Sequence, residues 1–175
     1  MKSNKYSTRA RVRSLCFAAI IAALYTVLTF VASAFGLASG VIQLRLSEAL
    51  CILPVFTPAA IPGLTLGCLL SNFLTGCLPQ DILFGSLATL IGAVGARLLR
   101  KFPYLAPLPT VAANTVIVPL VLAFAYRVED GLPFLFATVG IGELLSAYLL
   151  GVILYLSLRK HQAKLFDPYF ERRSL

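Results

Sequence analysis

ALCILPVFTPAAIPGLTLGCLLSNFLTGCL, residues 49–78, is the stretch on which the fold turns. It is apolar nearly throughout, yet Pro54, Pro58, Pro62 and Gly63 interrupt it. A proline removes a backbone donor and clashes with the preceding turn, so the run favours a break between Thr57 and Pro62. It reads either as one kinked helix or as two short ones. The runs around it are plainer: residues 15–37, 82–99, 108–125 and 134–158 are apolar and near the roughly 20 residues that a bilayer crossing needs.

Charge decides between one helix and two. Apart from Arg45 and Arg127, the Lys and Arg residues fall in three places. Lys2, Lys5, Arg9, Arg11 and Arg13 open the chain, Arg97, Arg100 and Lys101 sit mid-chain, and Arg159, Lys160, Lys164, Arg172 and Arg173 close it. Basic flanks stay in the cytoplasm. The start and the mid-chain cluster then share a side, which requires an even number of crossings before residue 97. Two short helices, about 49–57 and 63–76, meet that condition and one does not. The expectation is an all-α integral membrane protein with six transmembrane helices and both termini cytoplasmic, forming a single domain over residues 1–175. Arg45 and Arg127, in segments that also carry Glu48, Glu129 and Asp130, then face outward.

Composition agrees. The chain is 59% hydrophobic and 13% charged, against about 25% charged in a soluble domain. Its formal charge of +8 sits in the expected cytoplasmic flanks, where anionic membrane lipid is the natural partner and no nucleic acid is implied. The start resembles a signal peptide, with Ala32-Ser33-Ala34 after an apolar run. The run continues into Phe35-Gly36-Leu37, so a retained span is expected. Cys16, Cys51, Cys68 and Cys77 form no CxxC pair and His161 stands alone, so neither metal nor cofactor is expected. A GxxxxGK[ST] phosphate loop is missing, as are Ser-His-Asp and Cys-His sets, which argues against ATP binding of that kind and against an enzyme.

Several polar residues stand out against this background. Glu143 lies deep in the last apolar run, just after Gly140 and Gly142. A carboxylate there costs about 2.5 to 3.5 kcal/mol on insertion scales, so it calls for a polar interior, an internal partner, a ligand or a proton. Asn72 and Asn114 are intramembrane amides that serve either as glue between helices or as ligand contacts. Gln43, Arg45, Ser47 and Glu48 form a dense polar patch after the first run, and Gln80 with Asp81 opens the fourth helix. There a carboxylate is also a good helix-dipole partner. On the first helix Ala18, Ala19, Ala22 and Ala23 make two overlapping small-xxx-small pairs. These suit close helix contact, either within the chain or with a partner subunit.

Five motifs in order, QLRLSEAL (43–50), FTPAAIPG (56–63), DILFGSLAT (81–89), NTVIVP (114–119) and VGIGE (139–143), resemble the QueT family over nearly the whole chain. The resemblance implies the substrate-binding (S) component of an energy-coupling factor (ECF) transporter. Such a component works with a transmembrane coupling subunit (EcfT) and two cytoplasmic ATPase subunits, and it lies in the cell membrane. It implies uptake of queuosine precursors, such as queuine or related 7-deazaguanines, and a docking role for Ala18, Ala19, Ala22 and Ala23. For such a ligand Glu143, Glu48 and Asp81 are the candidate carboxylates. Asn114, Asn72 or Gln43 could read a ring carbonyl, Tyr148 could stack on the ring, and Arg45 is either a contact or a partner of Glu48. The alternative is a stand-alone proton-coupled secondary transporter of a small polar metabolite, with Glu143 as proton carrier.

Overall fold

The computed structural model describes residues 3–37, 42–162 and 165–166. Of the basic clusters, Lys2, Lys164, Arg172 and Arg173 lie outside the described residues. The described residues form helices joined by turns and short loops: α1 (Ser3–Ala34), a 3-10 helix (Leu46–Val55), α2 (Ala60–Leu74), α3 (Pro79–Leu98) and α4 (Leu108–Phe124). The last helix is α5 (Leu132–Glu143), which runs through a π-helical stretch (Leu144–Leu150) into α6 (Gly151–Arg159). Among the described residues three segments are long and apolar enough to cross a membrane: Ala10–Ala34, Pro79–Leu98 and Leu132–Arg159.

The proline-rich stretch does break in two, between Val55 and Ala60, and its first half is a 3-10 helix rather than an α-helix. It is a ten-residue 3-10 helix at the centre of the molecule, with Ser47, Glu48 and Leu50 to Val55 all buried. Such helices rarely exceed three or four residues, so neighbours must stabilise this one. It packs against α1, α2, α3, α6 and the π-helical stretch, while consecutive long helices pack against each other around it.

Pro58 explains how the segment ends. The carbonyls of Pro54 and Val55 would each be served by the amide of residue 58, which proline lacks. The neighbouring amides are committed elsewhere, Thr57 N to Leu53 O at 3.1 Å and Ala59 N to Thr57 Oγ1 at 3.3 Å. Arg97, in the last turn of α3, supplies the missing donor. Its Nη1 reaches Pro54 O at 3.0 Å and Val55 O at 3.3 Å.

Small residues set the helix contacts. A Cβ at Gly63 would stand 2.8 Å from Ala18 O, and one at Gly67 would stand 3.0 Å from Ala22 O, so α1 and α2 meet backbone to backbone. Ala18 and Ala22 are thereby buried within the chain, while Ala19 and Ala23 remain exposed on the other face of α1.

One end of the bundle is tied by rings. Phe17, midway along α1, lies 6.2 Å from Phe166, which stacks on Phe56 at 5.1 Å. Phe56 stacks on Tyr155 of α6 at 5.5 Å, and Tyr155 meets Tyr104 of the α3–α4 turn edge-on at 6.0 Å. Arg11, Arg13, Arg97, Arg100, Lys101 and Arg159 belong to the segments gathered at this same end.

Candidate functional site

The opposite end holds a cavity of about 360 Å³, formed where α1 and α2 finish, α3 begins and α4 gives way to its following loop. The segment 43–45 is one wall, and it is held on the last helix at two points one turn apart. Gly142 lacks the side chain that would collide with the Gln43 carbonyl, and the Arg45 amide donates to Ser146 Oγ at 3.0 Å. A further bond from Leu44 N to Leu37 O, 2.9 Å, returns the segment to the end of α1.

Gln43, Arg45, Asn72 and Asp81, from three separate regions of sequence, all face this cavity. Tyr25, Thr29 and Tyr126 face it too, and sequence reasoning did not single them out. Tyr25 and Thr29 follow Ala18 and Ala22 at helical spacing, so the period of the buried face was the available signal. Tyr126 carried none, because its position depends on how the chain turns after α4.

Asp81 stands in the first turn of α3 and is buried. Tyr126 donates its hydroxyl to Asp81 Oδ2 at 3.0 Å and accepts the Leu78 amide at 3.1 Å. Asn72 Nδ2 reaches the Asp81 carbonyl at 3.5 Å, and Gly85 leaves room for this pair, since a Cβ there would stand 3.0 Å from Asn72 Nδ2. Burial, followed by the neighbouring charge of Asp81, outweighs the bond from Leu78 and pushes the Tyr126 hydroxyl up to about 12. It is therefore a neutral donor across the physiological range.

Glu48 lies one layer further in. It accepts hydrogen bonds from the Tyr25 hydroxyl and from Cys51 Sγ, the latter at 3.1 Å, and is 1% exposed. Tyr25 therefore separates it from the cavity it would otherwise reach. Thr29 Oγ1 and Ser47 Oγ pair at 3.0 Å beside it.

Glu143 and Asn114 also sit behind the cavity wall, 4% and 2% exposed. Glu143 lies in the electrostatic neighbourhood of Asn114, Glu48 and Arg45. Its Oε2 and Asn114 Nδ2 are buried without a hydrogen-bond partner, as is Thr115 Oγ1, which Gly140 admits at 3.6 Å from where a Cβ would be. Tyr148, in the π-helical stretch, does not line the cavity.

Arg45 is common to both layers. Burial lowers the proton affinity of its guanidinium, but Asp81, Tyr25, Glu48 and Glu143 raise it further, and the net direction is upward. Three buried carboxyl groups thus lie around one arginine, an arrangement rich in hydrogen-bond acceptors. A buried polar atom left without a partner is costly, and Glu143 Oε2 is one, so the arrangement favours a donor-rich guest. Among the described residues no three His, Cys, Asp or Glu side chains come together to hold a metal ion.

A family model described as "QueT transporter" matches residues 15–160. A protein of Lactococcus lactis subsp. cremoris (strain MG1363), named "Queuosine precursor transporter QueT", is 38% identical over 85 residues, 48% of this chain. The matched stretch spans half the length of that relative, 50%. No solved structure matches the chain.

Proposed function

The chain belongs to the QueT transporter family, and from that premise we propose that it is the substrate-binding membrane subunit of an ATP-driven ECF importer, taking up queuosine precursors. The observation that carries this reading is the cavity at the end of an apolar helical bundle, walled by Arg45, Asp81, Asn72 and Gln43. A guanine-type ring edge presents adjacent N–H donors that a carboxylate accepts in pairs, and a protonated amine seeks a second negative charge. Asp81 and the amides of Asn72 and Gln43 take the ring. Glu143 and Glu48, one layer back, supply further carboxyl acceptors for a donor-rich guest, with Asn114 beside Glu143. Tyr25 or Tyr126 offers a ring face, whereas Tyr148 lies outside the cavity lining.

The membrane topology belongs to the same reading. With the ring-tied, arginine-bearing end in the cytoplasm, the helical segments make six passes, both termini are cytoplasmic, and the cavity opens outward in the cell membrane. Energy then comes from partners: a transmembrane coupling subunit and two cytoplasmic ATPase subunits. The exposed face of α1 with Ala19 and Ala23 is the docking surface, and Ala18 with Ala22 shapes it from behind through the contact with α2. The chain itself is not an enzyme in this scheme.

The test is calorimetric titration of the purified full chain with queuine, 7-aminomethyl-7-deazaguanine and guanine, without ATP. Sub-micromolar binding of a deazaguanine, with guanine far weaker, is the expected result. Absence of binding by folded protein refutes the ligand assignment. A second reading, proton-coupled transport by the chain alone, draws on the buried, unpartnered carboxyl oxygen of Glu143. It predicts that reconstituted chain accumulates substrate on a proton gradient alone and that Glu143→Gln abolishes this. The ECF reading predicts no accumulation without partners.

A further inference from the structure

Next to the main cavity lies a smaller one of about 140 Å³, between the loop that follows α4 and the first turns of α5. Leu135, Thr138 and Val139 line its depth and Asp130 its rim. Gln43, Leu122 and Val128 border both spaces, so these three residues form the wall between them.

That wall is well fixed. Val128 N donates to Leu122 O at 3.1 Å, and Arg127 adopts a φ of 53°, the left-handed conformation that folds the chain back upon α4. Few non-glycine residues adopt it. Gln43 is held by its crossing over Gly142. Leu122 of α4, Val128 of the following loop and the pinned Gln43 therefore stand between the two spaces.

The chemistry of the small chamber is specific. Its lining is mixed, with Leu122, Val128, Phe134, Leu135 and Val139 beside Gln43, Asp130 and Thr138, and the Thr138 hydroxyl is committed to the carbonyls of Phe134 at 3.0 Å and Leu135 at 3.2 Å. The Thr138 oxygen keeps its acceptor capacity, as does the exposed carboxylate of Asp130. At about 140 Å³ the chamber is well under half the size of the main cavity and has room for a substituent of a ligand whose ring lies in the larger space. An arm with an apolar stem and a donor tip, ammonium or hydroxyl, matches both size and lining.

We propose that this chamber is a specificity annex. It receives the side arm of a substituted 7-deazaguanine whose ring lies in the main cavity, and Gln43, Leu122 and Val128 set which arms are accepted. The inference rests on the ligand reading above. It is tested by titrating the full-length wild type and the Thr138→Leu, Val128→Ala and Asp130→Asn variants with three ligands: unsubstituted 7-deazaguanine, its 7-aminomethyl derivative, and queuine with its bulkier diol arm. Filling the chamber with Thr138→Leu should weaken both arm-bearing ligands by about tenfold or more and leave the bare ring within about twofold. Val128→Ala should favour queuine over the aminomethyl ligand. Asp130→Asn should weaken the aminomethyl ligand by about tenfold, and the bare ring not at all. Retained binding of the bare ring certifies that each variant is folded. Equal effects on all three ligands, or none on any, overturn the annex while leaving the ligand reading intact. Failure of all three to bind the wild type overturns the ligand reading and the annex together.

Discussion

The Tyr126 hydroxyl stands between Asp81 Oδ2, to which it donates at 3.0 Å, and the Leu78 amide, from which it accepts at 3.1 Å. A residue after α4 thereby secures the start of α3 at the cavity rim. Tyr126→Phe removes both bonds. It is expected to cost about 1 kcal/mol of stability, measured by denaturant unfolding in detergent.

The same pair gives an alkaline signature. The Tyr126 hydroxyl titrates near 12 in the folded protein, above the ordinary tyrosine value of 10, so the fold favours its protonated form. That contribution is complete below about pH 10 and is lost as pH rises through about 12. Stability followed over this window should fall more steeply in the wild type than in Tyr126→Phe. Superimposable curves would show that Tyr126 is not held as described.

Gly142 should tolerate no side chain, because a Cβ there collides with the carbonyl of Gln43. Gly142→Ala is expected to cost about 1 to 3 kcal/mol and to weaken ligand binding by displacing Gln43 and Arg45. Gly131→Ala is the control, since its nearest neighbour is Pro133 Cδ at 3.8 Å. Unfolding midpoints and titrations of the two variants separate backbone crowding from a general dislike of alanine.

The two faces of α1 should answer differently to bulk. Gly67→Ala drives a methyl to 2.7 Å from Tyr25 Cβ and 3.0 Å from Ala22 O, and should cost about 1 to 3 kcal/mol of stability. Ala19→Leu and Ala23→Leu alter an exposed face, so stability and ligand affinity should stay within about 0.5 kcal/mol of the wild type. Co-purification with the coupling subunit should fall. Normal assembly and transport by both leucine variants would remove the docking assignment.

Glu143→Gln keeps the shape of the side chain and removes its charge. If the carboxylate field draws the ligand, affinity should drop by a charge-assisted bond's worth, about 1.5 to 3 kcal/mol, in the calorimetric titration. Unchanged affinity would make Glu143 an internal partner of Asn114 alone.

Much of this architecture could be read before any coordinates. The prolines at 54, 58 and 62 located the break in the middle region, and the distribution of Arg and Lys required two segments there. What these signals could not convey is depth: hydropathy gives the same score to a segment facing lipid and to one enclosed by five neighbours, so the central place of Leu46–Val55 was hidden. Asn72, Asp81, Gln43 and Arg45 drew attention as polar groups in apolar surroundings, but only the crossing at Gly142 brings 43–45 to the wall opposite them. The division of the four alanines, two inward and two outward, follows from Gly63 and Gly67 on another helix, which no reading of α1 alone supplies. Tyr25 was likewise ambiguous, since its hydroxyl has meaning only once Glu48 lies beside it.

The chain of rings from Phe17 through Phe166, Phe56 and Tyr155 to Tyr104 gives the molecule a mechanical polarity. Four distant segments and the middle of the fold share one stiff apolar base, whereas the far rim is assembled from turns joined by single hydrogen bonds such as those of Tyr126. A guest entering at the rim has only those bonds to rearrange. The base can keep its shape through the whole event, as the bottom of a jar does while its lip is opened.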